Sequence, residues 1–135
     1  MAPQNRTPYV PGFKEVAKKA RLAIEALENG YYEIIDENQA PRTFASLGIQ
    51  TDEALLEHVL EFLDEILALD AFACFCGIGG RVEFSTKPRF LDVRLYAFSW
   101  ASPKMGKRMY LKFGLREKGA KNVFTYMHLS CHDDE

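Results

Sequence analysis

Apolar residues recur at helical spacing in the first half of the chain and at alternate positions in the second. Val16, Ala20, Ala23, Ile24 and Leu27 fall at i, i+4, i+7, i+8 and i+11, which predicts one amphipathic helix over residues 13–29. Gly30 follows where a helix commonly ends in a left-handed residue. Thr51 has the character of an N-cap, with Asp52 and Glu53 suited to the positive end of a helix. Leu55, Val59, Leu63 and Ile66 repeat the stripe, and Leu56, Leu60 and Leu67 widen it. This second helix is expected to reach Leu69, with Glu57, Glu61, Asp64 and Glu65 on its outer surface. Residues 31–45 fit a short strand or a helical turn, broken at Pro41.

From Arg81 onward the period is two. Residues 81–85 fit a short strand, and residues 93–100, 108–116 and 122–131 fit three longer ones. Residues 103–106 separate the first two long strands, and residues 117–121, with Gly119, form a hairpin loop between the last two. The apolar stretch 71–80 has no clear period. Helices first and strands after predict an α+β domain: N-terminal helices packed on one face of a C-terminal antiparallel sheet of three to four strands. The domain spans residues 13–135, behind a loose, Pro-rich tail over residues 1–12.

Successive side chains of a strand point to opposite faces. Val93, Leu95 and Ala97, then Met109, Leu111, Phe113 and Leu115, then Val123, Thr125, Met127, Leu129 and Cys131 make an odd-numbered apolar set, expected to lie on the helices. The even-numbered set mixes rings and cations: Arg94, Tyr96, Phe98 and Trp100; Arg108, Tyr110, Lys112 and Arg116; Phe124, Tyr126, His128, Ser130 and His132. Cations neutralise phosphates and aromatic rings stack on unpaired bases, so this mixture points to a surface for single-stranded RNA. The alternative packs Phe98, Trp100 and Phe124 under a loop or the N-terminal segment, with the cations at the rim.

Composition narrows the classes. The chain has 135 residues, of which 47% are apolar and 27% charged, enough for a soluble domain with a core of its own. No apolar run approaches the ~18 residues that span a bilayer, and the polar N-terminus lacks the core of a signal peptide. Cys74, Cys76 and Cys131 are an odd, low count that suits a reducing compartment, and the cytoplasm is expected. The formal charge of −2 conceals a segregation. Residues 1–80 carry 6 Lys+Arg against 13 Asp+Glu, a net of −7, while residues 81–132 carry 11 against 3, a net of +8. The last three residues add −3. An anionic partner is therefore expected on the C-terminal half.

Cleaving RNA without metal needs a base for the 2′-hydroxyl, an acid for the departing oxygen and cations for the developing phosphorane charge. His132, His128, Tyr110, Lys112 and Arg108 are of the types that supply these. A zinc site from Cys74, Cys76, His128 and His132 is disfavoured. Four residues along a strand separate the two histidines by roughly 13 Å, whereas zinc ligands sit at about 2.0–2.3 Å from the ion. No cofactor is expected, because no phosphate-binding loop, dinucleotide fingerprint or nucleophile elbow is present.

The run Gly106-Lys107-Arg108-Met109-Tyr110-Leu111-Lys112, a hairpin, and a last strand ending Leu129-Ser130-Cys131-His132-Asp133 resemble the C-terminal sheet of MqsR-type toxins. These are RelE-like ribonucleases of bacterial toxin–antitoxin pairs. Leu47-Gly48-Ile49 ahead of the second helix is similar in layout. The resemblance implies metal-independent cleavage of mRNA and a protein antitoxin as partner. It implies a catalytic role for Tyr110, places His132 at the family's terminal-strand lysine or histidine, and offers Lys87 for an upstream lysine. The family's glutamine has no counterpart in Arg94-Leu95-Tyr96-Ala97-Phe98. The site expected from both lines comprises His132, Tyr110 and Lys112 for catalysis, with Arg94, Tyr96, Arg108, Arg116, Tyr126, His128 and Lys87 contacting RNA. The competing expectation is a non-catalytic interaction module, such as an immunity or antitoxin-like protein, whose basic face meets an acidic partner. A third is a sheet holding a small anionic ligand in a deep pocket.

Overall fold

The computed structural model describes residues 9–33, 52–76, 81–86 and 93–132, with the side chains of 52–55, 126, 127 and 130–132 left aside. The elements are α1 (Phe13–Glu28), β1 (Tyr32–Glu33), α2 (Asp52–Leu69), α3 (Ala71–Cys74), β2 (Glu83–Phe84), β3 (Arg94–Ser102), β4 (Lys107–Lys118) and β5 (Lys121–His132). The sheet order is β1-β5-β4-β3-β2, antiparallel except that β1 runs parallel to β5. The α+β class is as expected. The sheet has five strands because two short ones flank the three long ones.

Both helices obey their stripes. Val16, Ala20, Ala23 and Leu27 of α1 and Val59, Leu63 and Ile66 of α2 are buried, joined by Phe62, which lies between stripe positions. Gly30 adopts φ +78° after α1, a left-handed conformation that glycine enters without a Cβ clash. The stretch without period begins with α3. Asp70 caps it, accepting a hydrogen bond from the Phe72 N–H at 3.0 Å, and holds φ at +101° to do so. Among the described residues no helix is long and apolar enough to cross a membrane.

The expected face assignment needs correction. Trp100 of β3 packs its ring against Phe62 of α2, and Tyr96 donates a hydrogen bond to Glu15 of α1, so the even positions of β3 face the helices. Tyr96, Phe98 and Trp100 are all at most 2% exposed. The cause is the turn between β3 and β4. Four residues, 103–106, join strands that meet at Ser102↔Lys107, which pairs even positions of β3 with odd positions of β4. Tyr96, Phe98 and Trp100 thus share a face with Phe113, Leu111 and Met109.

A second inversion lies inside β5. Phe113 pairs with Met127 but Gly114 pairs with Thr125, leaving Tyr126 as an extra residue in a β-bulge. Beyond it toward the hairpin, Phe124 is fully buried and stacks on Phe113, 5.1 Å between centroids. On the other side of the bulge, Leu129 is buried and His128 is half-exposed.

Two further expectations fail locally. Glu65 does not cover the outer surface of α2. Its carboxylate accepts hydrogen bonds from Trp100 Nε1 at 2.8 Å, Ser102 Oγ at 2.7 Å and the Lys104 N–H at 3.0 Å, tying α2 to the β3–β4 turn. The tail is not loose throughout. Tyr9 bridges Val82, its carbonyl accepting the Val82 N–H at 2.7 Å, and its hydroxyl donates to Glu15. Residues 1–8 lie outside the described residues.

Candidate nucleic-acid interface

The face turned away from the helices divides into two ends. At the hairpin end Val93, Leu95, Val123 and Thr125 are buried around Gly114. A Cβ on Gly114 would stand 2.5 Å from Val93 Cγ1 and 3.2 Å from Leu95 Cδ2, so glycine is what lets these side chains cross the strand. These odd-numbered residues are buried, as expected of an apolar set, but on the side opposite the helices.

The other end is polar and partly open. Its rows are set by register: Ala97–Lys112–His128, Ser99–Tyr110–Ser130 and Ala101–Arg108–His132. β3 contributes small side chains, so the longer ones of β4 stand above it. Arg108 is exposed and donates from Nη1 to Ser99 Oγ at 3.2 Å. Tyr110 and His128 are half-exposed and meet edge to face, with ring centroids 5.7 Å apart and planes at 84°. Lys112 Nζ lies 3.9 Å from Glu83 Oε2 of β2. Arg116, half-exposed, sits opposite Val123 toward the hairpin.

The structure therefore brings Arg108, Tyr110, Lys112 and His128 together and separates others from them. Arg94 and Tyr96 lie on the helix-facing side of β3, where Arg94 covers the Tyr9 ring at 5.7 Å and Lys19 the Tyr96 ring at 5.8 Å. Burial, together with the hydrogen bonds to Tyr9 and Glu15, pushes the Tyr96 phenol far above its ordinary value. Tyr96 is thus a core residue and not a base-stacking platform. The same holds for Phe98, Trp100 and Phe124, so the described ring face at the open end shrinks to Tyr110 and His128. His132 pairs through its backbone with Arg108, and Tyr126 forms the bulge; their side chains, and all of Lys87, lie outside the described residues.

Alternation and residue type alone do not single out Glu83 and Ser99. Alternation within residues 81–85 separates Glu83 from Val82 and Phe84, but only the pairing Glu83↔Leu95 puts it on the same face as Lys112. The Cys74 thiol is buried and pushed up by that burial, which disfavours the thiolate needed for metal or nucleophile chemistry. Among the described residues no group of three or more His, Cys, Asp or Glu could hold a metal ion. No family model, no curated protein and no solved structure matches this chain.

Proposed function

We propose that the open end of the sheet binds single-stranded RNA and cleaves it as a metal-independent endoribonuclease. One observation carries the reading: two adjacent strands present Arg108, Tyr110, Lys112 and His128 within one patch. Guanidinium and ammonium groups bind phosphate and stabilise the charge that grows on it in the transition state. Imidazole exchanges a proton near neutral pH, and a phenol beside it donates or positions. His132, set beside Arg108 by register, is a second imidazole candidate. With Tyr96, Phe98, Trp100 and Phe124 in the core, recognition leans on the backbone phosphates and the 2′-hydroxyl more than on stacked bases. The resemblance to MqsR-type toxins adds a cytoplasmic mRNA substrate and a protein antitoxin to the proposal.

Purified protein at micromolar concentration is expected to cut mixed mRNA in the presence of a metal chelator and to leave 2′,3′-cyclic phosphate ends. His128→Ala and Tyr110→Phe should slow cleavage while binding persists, and induction of the wild-type chain should arrest growth. Intact RNA together with unimpaired growth would remove the enzyme reading and leave an interaction module whose basic face meets an acidic protein.

A further inference from the structure

Transesterification of RNA requires two proton carriers in opposite states, one on each side of the phosphate. The open end offers His128 and Tyr110 as donors. A phenol at neutral pH gives a proton more readily than it takes one, and a single imidazole cannot serve as acid and base in the same step. A carboxylate is ionised throughout the neutral range and meets the need for a base. Glu83 brings a carboxylate to this patch, 3.9 Å from the Lys112 ammonium.

Its placement follows from three registers. Glu83 pairs with Leu95, Ala97 pairs with Lys112, and Lys112 pairs with His128. Leu95 and Ala97 are successive residues on the same face of β3, so the carboxylate stands one step along the strand from the Lys112–His128 row and meets it diagonally across β3. Ala97, opposite Lys112, presents only a methyl group, which leaves the ammonium room to lean over β3 toward Glu83. Their separation of 3.9 Å is that of an ion pair without a hydrogen bond. Both side chains keep about a fifth of their surface exposed, at 21% for Glu83 and 18% for Lys112.

We infer, resting on the ribonuclease reading above, that Glu83 is the catalytic base and His128 the acid, on either side of a phosphate held by Lys112. Glu83 takes the proton of the 2′-hydroxyl, and the 2′-oxygen bonds to phosphorus. The bond from phosphorus to the 5′-oxygen breaks, and His128 protonates that oxygen. The products are a 2′,3′-cyclic phosphate and a 5′-hydroxyl, and solvent restores both protonation states.

The test compares RNA with a uridine 3′-(4-nitrophenyl phosphate), whose leaving group departs without an acid. Glu83→Gln should lose about 10²- to 10⁴-fold on both substrates, the range that a positioned acid or base contributes. His128→Ala should lose as much on RNA and recover on the nitrophenyl ester. Glu83→Asp, which keeps the carboxylate, should cleave faster than Glu83→Gln, and E83Q should bind 2′-O-methyl RNA within about twofold of the wild type. Cleavage by Glu83→Gln within threefold of the wild type overturns the assignment. So does its recovery on the activated ester, or equal rates for E83D and E83Q. A wild-type protein that binds RNA but cuts neither substrate overturns the ribonuclease reading itself.

Discussion

On the helix-facing side of the sheet, Tyr96, Phe98 and Trp100 interlock with Met109, Leu111, Phe113, Phe124 and Leu129, all buried. On the opposite side the same strands present Ser99, Ala101, Arg108, Tyr110, Lys112 and His128, none of them buried. The large rings of β3 that alternation alone would have placed among the β4 cations thus lie on the other face, with Arg94 still at their edge and Tyr110 still among the cations. A face that must exclude water takes the large rings. The open end of the other face keeps Arg108 and Lys112, and its neighbouring strand carries Ala97, Ser99 and Ala101, so that long side chains have room. Three polar groups of β3 that enter the helix side have partners there: Trp100 and Ser102 share the Glu65 carboxylate, and Tyr96 donates to Glu15.

The sharpest way to break this comparison is to truncate one residue from each face. Phe98→Ala should cost about 3–5 kcal/mol, as for other buried rings, read as a lower urea midpoint. Arg108→Ala should leave stability within about 0.5 kcal/mol of the wild type yet weaken RNA binding, with the slope of log affinity against log salt reduced by about 1. Similar stability losses for both would mean that the faces are not divided as described. Next in size is Glu65→Ala. It strips the partner from an indole N–H, a hydroxyl and a backbone N–H, and is expected to cost about 2–3 kcal/mol by chemical denaturation. A loss under about 0.5 kcal/mol would show that water replaces the carboxylate without penalty.

Much of the fold was legible because helical stripes and alternation are local. The stripes of α1 and α2, the glycine that ends α1 and the three long strands all follow from spacing within a dozen residues. The faces were not legible, because they depend on how strands are joined. The four-residue turn at 103–106 mates even with odd, and the bulge at Tyr126 reverses the sense within β5. Hence Arg108, Tyr110, Lys112 and His128 share a face as expected, while Tyr96 and Arg94 do not join them. Glu65 misled for a related reason. Its place on the helix suggested solvent, and its partners lie 35 to 39 residues away in sequence.

Gly114 sharpens the boundary between the two ends of the outer face. Its added methyl would meet Val93 Cγ1 at 2.5 Å, with the Arg94 carbonyl oxygen 3.1 Å away, so relief requires a shift in β3 itself. Gly114→Ala is expected to cost about 1–3 kcal/mol, the range of overpacked sites. A neutral result in thermal melts would mean that the apolar end yields easily and does not fix the register that aligns Lys112 with His128.

The smallest effect comes from the polar cluster at the edge of the helix side and appears only at alkaline pH. Burial is the first cause that raises the phenols of Tyr96 and Tyr9, and their hydrogen bonds with Glu15 add to it. The folded chain therefore holds these protons more tightly than the unfolded chain. Their contribution is complete below about pH 10, the ordinary phenol value, and is lost as pH rises beyond it. Lys19 works the other way. Desolvation lowers it, with Arg94 adding to the effect, so the unfolded chain holds that proton more tightly and stability gains as the proton leaves. The two trends overlap in pH, and one titration of the wild type reports only their difference. Tyr96→Phe separates them: it should cost about 1 kcal/mol at pH 7 for the lost hydrogen bond. It should also show a smaller fall in stability between pH 8 and pH 11 than the wild type, because Tyr9 alone then opposes Lys19. Parallel curves for the two proteins would mean that ionisation of Tyr96 is not coupled to folding, and that its place against Glu15 is held by packing alone.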